Sequence, residues 1–352
     1  MLSQTFCRRI LIGVLLTNVQ SLVVAQAPPS PTASAASEAA NARDIIKNAL
    51  PFIEKQGQKW MNDKKCVTCH HSTFMTWSLN RASEHGFPVE KQSLSEWNEW
   101  TRNFRNIQGK NNKDFETEPA EVAFQRSSDV VAQLLLGRPA YADNVPSEEQ
   151  QWSSEMADHL LTGQQPDGNW KAGGQLPLQK RSVQETEEVS TLWSLYALQL
   201  FNIQDERLST ADSKAATWLN PQTVGESTEW WAVKLLWARK RGDSEVADAC
   251  REKLIQTQHD DGGWGWLLTD ESDALGTGIA MYALQHDGVT FAEPVIANAV
   301  SFLRTTQNKD GSWSVKGTKK AKKNRVEATA TYWGTCWAVI SLLETLPKAT
   351  NN

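Results

Sequence analysis

Apolar side chains recur every three to four residues along most of the chain, which is the spacing of a helix with one buried face. The run from Trp193 to Leu198 is typical, and similar runs surround Tyr282 and Trp337. The sequence shows no convincing alternation of apolar and polar residues of the kind that marks a half-buried strand. The pattern therefore predicts an all-α protein of six helical hairpins, at residues 43–84, 93–138, 148–202, 208–240, 244–288 and 293–346.

A second pattern repeats between the predicted helices: a Gln, then an Asp-Gly pair, then a Trp. It occurs in the segments Gln164–Trp170, Gln258–Trp264 and Gln307–Trp313. Asp-Gly favours a tight turn, so each copy marks the change from one helix to the next. A single helical hairpin cannot bury its own apolar face, so the copies must stack as an open solenoid or as a closed ring.

These Gln-x-x-Asp-Gly-x-Trp segments resemble the QW motifs of squalene and other terpenoid cyclases, and the resemblance covers about residues 43–346. It implies a closed (α/α)6 toroid, a barrel of six helical hairpins. It also implies that the motif is structural: the Gln satisfies helix-end groups, the Asp-Gly forms the turn, and the Trp packs on a neighbouring helix. We expect these roles for Gln164, Gln165, Asp167, Gly168, Trp170, Gln258, Asp261, Gly262, Trp264, Gln307, Asp310, Gly311 and Trp313.

The catalytic motif of these cyclases is only partly present. Cyclases that protonate an alkene or epoxide carry an Asp-x-Asp-Asp motif whose middle Asp is the acid. The nearest segment here is Asp270-Glu271-Ser272-Asp273, so Ser272 occupies the position of that acid. Asp270 and Asp273 are the catalytic candidates that remain, and the alternative is that they stabilise the positive end of a helix. The sequence therefore leaves open whether the protein is an enzyme.

The segment Cys66-Val67-Thr68-Cys69-His70 carries different chemistry. Cys-x-x-Cys-His is the attachment motif of c-type cytochromes, in which two thiols form thioether bonds to haem and the His binds the iron. We therefore predict covalent haem c on Cys66 and Cys69, with His70 as an axial ligand. The alternatives are a Cys66–Cys69 disulfide and a zinc site completed by His70 or His71.

The position of the motif in the repeat is informative. Alignment of Trp77 with Trp193 places His70 at the end of the first inner helix, beside the mouth of the barrel, and we expect His71 to be a surface neighbour. Acidic residues precede the inner-helix tryptophans in several repeats, so carboxylates are expected to ring the same mouth. The distal haem ligand is not identified. The candidates are Met156, Met281, His159, His259 and His286.

The N-terminus predicts export. Arg8 and Arg9 precede an apolar run that ends with small residues at Val23 and Ala25, the order found in secretory signal peptides. We expect a signal peptide at residues 1–25, a flexible Ala/Pro/Ser linker at 26–42 and the toroid at 43–348, in the periplasm or outside the cell. An uncleaved anchor helix is the alternative for the first segment. No later segment is expected to cross a membrane.

The charge distribution bears on partners. Thirty-six Lys and Arg against 41 Asp and Glu give a net charge of −5, which argues against a protein that coats nucleic acid. One basic loop stands out, with Lys316, Lys319, Lys320, Lys322, Lys323 and Arg325. It is either a solvated loop or a docking site for an acidic redox partner or anionic lipid.

The preferred functional interpretation is periplasmic electron transfer or haem-based redox sensing with a redox partner. Two alternatives belong to other classes. One is an isoprenoid-transforming enzyme that uses an aromatic-lined cavity. The other is a non-catalytic toroid that binds a lipid, an isoprenoid or a protein. The four cysteines that follow the predicted signal peptide include Cys250 and Cys336, which lie in helical patterns. We expect them to be buried core residues, and a disulfide between them is the alternative.

Overall fold

The computed structural model describes residues 33–67, 70–103, 106, 119, 122, 124, 127–139, 145–174, 176–200, 206–219 and 223–347. Over these residues the chain forms twelve α-helices and no β-strand. The helices are α1 Ala33–Lys64, α2 Ser72–Glu84, α3 Lys91–Arg102, α4 Ser128–Leu136, α5 Ser147–Gly163, α6 Val183–Leu200, α7 Glu206–Trp218, α8 Thr228–Arg241, α9 Ser244–Gln256, α10 Ala274–His286, α11 Pro294–Thr306 and α12 Ala328–Glu344.

The even-numbered helices form an inner ring. Each packs against the next in the order α2, α4, α6, α8, α10 and α12, and α12 packs against α2, so the ring is closed. The odd-numbered helices lie outside it. This arrangement is the (α/α)6 toroid that the sequence predicted, and the six hairpins match the predicted pairs to within a few residues, apart from the start of the first helix.

Burial explains why the two sets of helices differ in sequence. Inner helices are surrounded on nearly all sides, and every residue from Ala274 to Leu284 of α10 is buried. Outer helices bury a single stripe, as in α9, where Ala247, Cys250 and Leu254 are buried. A helix that contacts protein all round must be apolar all round, whereas an outer helix needs only one apolar face.

The repeated turn has the same hydrogen bonds in each copy. The side-chain amides of Gln164, Gln258 and Gln307 donate to the carbonyl four residues on, Gly168, Gly262 or Gly311, at 2.9, 2.8 and 3.1 Å. The same amides also donate to a carbonyl of the next outer helix, that of Ala211, Val295 or Ile45. The structural role of the motif is therefore confirmed, and Gln164 rather than Gln165 makes the bridge in the first copy.

The motif Trp joins the two helices of its own hairpin. The indole nitrogens of Trp170, Trp264 and Trp313 donate to the carbonyls of Leu160, Leu254 and Leu303 near the end of the preceding outer helix. Their backbone amides are in turn bonded to threonine hydroxyls of the following inner helix, at 3.0 to 3.2 Å. Each Trp thus fixes the angle at which one helix leads into the next.

The last repeat closes the ring on the first helix. Gln307 donates to the carbonyl of Ile45 at 2.9 Å, and Gly311 lies against the backbone of Asn48 in α1. On the inner ring, the Tyr332 hydroxyl of α12 donates to the carbonyl of Ile53 at 3.0 Å. Contacts between residues more than 260 positions apart therefore complete the barrel.

Aromatic rings pack together between the inner helices. Trp337 lies 5.3 Å from Trp77, 5.4 Å from Tyr282 and 5.7 Å from Trp193, measured between ring centroids. Phe74 packs on Trp77 at 5.5 Å. All five rings are buried, so side chains rather than solvent fill this part of the barrel.

The boundary of the first hairpin differs from the prediction. Residues 26–42 were expected to form a flexible linker, but α1 begins at Ala33. The segment from Ala33 to Ala40 is rich in alanine, the residue with the highest helix propensity, and it continues directly into the amphipathic stretch that follows. Propensity therefore extends the helix beyond its buried part. The predicted signal peptide, residues 1–25, lies outside the described residues.

Candidate functional site

The inner helices begin at one end of the barrel, which we call the mouth. Hydrogen bonds link the loops that precede these helices: Thr228 N donates to the Trp266 carbonyl at 3.0 Å, and Lys180 N to the Thr318 carbonyl at 2.8 Å. The second bond joins the loop before α6 to the loop before α12, which lie on opposite sides of the ring. Segments 176–182 and 314–327 therefore meet over the mouth.

The Cys-x-x-Cys-His segment lies at this mouth. Cys66 follows the end of α1, and His70 and His71 immediately precede α2. The indole N–H of Trp60 donates to the Cys66 carbonyl at 3.0 Å, and the Ser72 hydroxyl donates to the same carbonyl at 3.4 Å. The backbone at Cys66 is thus held from both flanking helices. Cys69 lies outside the described residues.

His71 is not the surface residue that we expected. Its ring is stacked between Trp60, at 4.1 Å between centroids, and Tyr332, at 4.4 Å. Only 8% of His71 is exposed, and burial lowers its pKa to about 2. The expectation was wrong because Tyr332 comes from α12, which only ring closure brings beside α2.

His70 lies between His71 and the edge of Trp60. Its Nδ1 atom is 2.6 Å from Nδ1 of His71, so one nitrogen donates to the other, and its ring is 5.3 Å from that of Trp60. Burial and the nearby charge of Lys319 lower the pKa of His70 to about 4, against an opposing effect of Glu327. His70 is therefore neutral at pH 7, the form in which imidazole binds metals.

The described part of this segment supplies a thiol, on Cys66, and a neutral imidazole, on His70, which are the kinds of group that hold haem c. Trp60 contacts both described members of the motif, since it binds the Cys66 carbonyl and touches the His70 ring. Cys66 and His70 are each only partly buried, so both reach the surface of the mouth. Because Nδ1 of His70 lies 2.6 Å from Nδ1 of His71, an iron atom would be held through Nε2 of His70. Burial raises the pKa of the Cys66 thiol.

The candidate distal ligands lie in other parts of the toroid. Met281 is fully buried in α10, where the Ser341 hydroxyl lies 3.9 Å from its sulfur, and Met156 is buried in α5. The ring of His159 stacks on Phe124, and the ring of His286 packs against Tyr282. Nδ1 of His259 lies 2.9 Å from the Ser272 hydroxyl. Met156 and His159 thus belong to α5, Met281 and His286 to α10, and His259 to the turn after α9.

Carboxylates ring the mouth, and they are bound to the protein. Both oxygens of Glu229 are occupied, one by Trp193 Nε1 at 3.0 Å and one by Arg181 at 2.8 Å. Glu185 accepts from the backbone of Ser227, and Glu188 accepts from Trp230 Nε1 at 2.6 Å. The network joins α6 to α8. Arg181, which is almost fully buried, was missed by the sequence analysis because it lies in a loop without any periodic pattern.

Asp270, Ser272 and Asp273 occupy a tight turn before α10. Asp273 caps the helix by accepting from Leu275 N and Gly276 N, each at 2.8 Å. Asp270 forms an ion pair with Lys180 at 2.5 Å. The Ser272 hydroxyl donates to Asp261 of the QW turn at 2.7 Å. All three side chains thus have partners within the protein, and only Asp273 caps the helix.

The basic loop, residues 316–325, folds back on itself at the mouth, and we call it the basic ribbon. Gly317 N donates to the Arg325 carbonyl at 3.0 Å and Glu327 N to the Val315 carbonyl at 3.0 Å. Lys316 pairs with Glu271 and Lys322 with Glu327, both at 2.6 Å. Lys320, Lys323 and Arg325 are exposed. Two of the six cations therefore hold the ribbon in place, and at least three face solvent.

Comparisons with known proteins agree with this fold. The family model for the squalene-hopene cyclase C-terminal domain matches residues 233–351, about a third of the chain. No curated protein matches the sequence. Among solved structures, a possible member of the GH105 family from Klebsiella pneumoniae is 13% identical, with a TM-score of 0.52 over 94% of this chain and 98% of that one.

Two further structures have the same architecture. A glycosyl hydrolase of family 88 from Bacteroides vulgatus is 12% identical, with a TM-score of 0.53 over 87% of this chain and 98% of that one. An unsaturated glucuronyl hydrolase from Bacillus sp. GL1 is 13% identical, with a TM-score of 0.50 over 88% and 95%. At this level of identity the similarity shows the fold alone. The chain is therefore a cyclase-like α/α toroid.

None of the helices in the described part of the chain combines the length and apolar character that crossing a bilayer requires.

Proposed function

We propose that this protein is an exported c-type haem protein that transfers electrons in the periplasm. Haem c would be attached through Cys66 and Cys69, with Nε2 of His70 as an axial ligand. The observation that carries the proposal is the Cys-x-x-Cys-His sequence at the mouth of the toroid, with His70 fixed by His71 and Trp60. When bound, haem c supplies an iron that exchanges one electron.

The residues of the chain have distinct tasks in this proposal. Trp60 and Ser72 hold the Cys66 backbone, which sets the position of the first thioether. Because Nε2 would bind the iron, the proton of His70 would lie on Nδ1 and be donated to Nδ1 of His71, which fixes the direction of the His70 ring. The stacked Trp60 and Tyr332 rings keep His71 from turning. His70 would therefore be held in place by residues that do not themselves bind the iron, as is usual for histidines that bind metals.

The experiment that tests the proposal is expression of the chain together with a cytochrome c maturation system. We expect haem staining of the denatured protein on a gel and a reduced-minus-oxidised spectrum with the bands of a c-type haem. Cys66→Ala/Cys69→Ala should lose both. Cys250→Ala is the matched control, because it removes a buried thiol from α9, far from the motif, and should keep the haem. A wild-type chain without haem would refute the proposal.

The cyclase alternative rests on the fold and on the family match over residues 233–351. The described residues favour it less, because Ser272 replaces the protonating acid and Asp273 is engaged as a helix cap. Turnover of polyprenyl substrates by the wild type, lost in Asp273→Asn, would support it over electron transfer.

A further inference from the structure

The mouth of the toroid carries basic side chains on two sides of His70. On one side, Lys64 ends α1 and Lys65 follows it, next to Cys66, and both are exposed. On the other side lie the exposed Lys320, Lys323 and Arg325 of the ribbon. We call these five residues the basic collar. The whole chain has a net charge of −5, so the collar is a positively charged area on a negatively charged protein.

Ring contacts connect both halves of the collar to His70. The Lys64 ammonium lies 6.0 Å from the centroid of the Trp60 ring, which is itself 5.3 Å from the His70 ring. The basic ribbon leads to Glu327, the N-cap of α12, and Tyr332 of the same helix stacks on His71. The two halves therefore flank the site from α1 and from α12.

Nearby carboxylates already have partners. Asp63 pairs with Lys59 at 2.6 Å, and Glu327 pairs with Lys322 at 2.6 Å. These pairs neutralise the acidic groups next to the collar without using its own cations. A cluster of like charges on an exposed edge raises the rate at which a partner of opposite charge arrives, and this effect falls as salt is added.

We infer that the basic collar is the docking surface for an acidic electron-transfer protein, which would approach the haem edge at the mouth of the toroid. The inference rests on the proposed function, because the acidic protein would exchange electrons with the haem proposed at Cys66 and His70. An acidic protein is favoured over a membrane because the collar flanks the proposed haem site on two sides, and electron transfer requires the second redox centre to come close to that site.

The test uses an acidic protein probe, succinylated cytochrome c, with unmodified basic cytochrome c as its counterpart. Electron exchange with the haem-loaded protein is followed by stopped-flow absorption as the ionic strength is varied. We expect the succinylated probe to react faster than the basic one at low salt, and to slow by about tenfold as salt is raised.

The variant Lys320→Glu/Lys323→Glu should lower the low-salt rate with the succinylated probe by at least about fivefold and weaken its salt dependence. The matched control is Lys91→Glu/Lys240→Glu, which reverses two exposed lysines at the opposite end of the barrel, at the start of α3 and the end of α8. The control should leave the rate within about twofold of the wild type.

The outcomes separate the two proposals. Haem staining is recorded for every variant, and a wild-type chain without haem overturns the proposed function together with its partner. Normal haem with equal rates for the two probes, or with equal effects of the two double variants, overturns the docking inference alone. Cosedimentation with phosphatidylglycerol vesicles that is lost in Lys320→Glu/Lys323→Glu, with unchanged probe rates, would assign the collar to a membrane surface and also overturn it.

Discussion

At the scale of single residues, a side chain at the mouth has different neighbours in the folded protein than it has in the sequence. His71 follows His70 in sequence, yet its environment comes from Trp60 of α1 and Tyr332 of α12. Likewise, Asp273 looks like a catalytic residue in sequence and is a helix cap in the structure. The type of a residue indicates what chemistry is available, and its neighbours decide which chemistry is used.

His71→Ala should raise the midpoint reduction potential of the haem-loaded protein. The substitution removes the group that contacts Nδ1 of His70, and a ligand that loses its hydrogen-bond partner donates less charge to iron and stabilises the oxidised state less. Spectroelectrochemical titration measures the shift. His85→Ala is the control, since it removes a buried histidine from the far end of α2, where its Nδ1 lies 3.1 Å from the Pro347 carbonyl. An unchanged potential in His71→Ala with full haem content would show that His71 has no positioning role.

Asp273 should give the stability of the protein a distinct dependence on pH. Partial burial raises the pKa of Asp273 from 3.8 to about 6, so between these values the native state holds a proton that the unfolded state has lost. The contribution of Asp273 to stability is therefore largest below pH 4 and declines as the pH rises to about 6.

Urea unfolding of the wild type and of Asp273→Asn between pH 4 and 7 checks this expectation. The difference in free energy of unfolding should favour the wild type more at pH 4 than at pH 6. Asp310→Asn is the control, because a hydrogen bond from Ser312 lowers the pKa of Asp310, so its effect should be flat across this range. If the difference in free energy of unfolding between the wild type and Asp273→Asn does not change with pH, burial does not raise the pKa of Asp273.

At the scale of elements, three of the six hairpins depend on a turn whose geometry only glycine satisfies. Gly168, Gly262 and Gly311 have φ angles of +111°, +87° and +84°. A Cβ atom at Gly262 would lie 2.5 Å from the carbonyl oxygen of Asn298 in the next outer helix. The turn therefore brings the backbones of successive hairpins together, and the repeat of Asp-Gly in sequence follows from that approach.

Gly262→Ala should cost considerably more stability than Gly288→Ala. Both glycines have φ near +90°, but a Cβ atom at Gly288 meets no atom within 4 Å. Gly288→Ala thus measures the backbone strain by itself, about 1 kcal/mol. Gly262→Ala adds a collision with backbone, and we expect a loss of about 3 kcal/mol in chemical denaturation. Equal losses would show that the close approach of α11 is not a constraint.

At the scale of the whole molecule, stability depends on closure of the ring. An open solenoid would leave its two ends in water, whereas here α12 packs on α2 and the last QW turn packs on α1. The same closure builds the candidate site, because it brings Tyr332 onto His71 and the basic ribbon to the edge of the mouth. The fold and the site are therefore coupled through one junction.

Gln307→Ala should destabilise the protein about as much as Gln258→Ala. Each Gln donates to two carbonyls, one in its own turn and one in the next outer helix, and each loss should cost about 1 to 3 kcal/mol. Gln258 is the internal reference, since its partner Val295 is only 37 positions away. A negligible cost for Gln307→Ala would show that the junction between the first and last hairpins contributes little.

The sequence by itself determined the helices, their number and the turns between them. Those features depend on local properties: apolar residues at helical spacing, Asp-Gly pairs at turns and a Trp that reaches back to the helix just before it. The same is true of the cysteine motif, whose chemistry is contained in five consecutive residues.

Only the tertiary structure decided what surrounds that motif. The stacking of His71 on Tyr332 and the pairing of Arg181 with Glu229 join residues 48 or more positions apart, and the bond from Lys180 to Thr318 holds the basic ribbon against the loop before α6. No local pattern encodes such contacts, because they arise when six hairpins close into a ring and the loops before the inner helices converge at one end. The motif is a property of the sequence, and its surroundings are a property of the closed barrel.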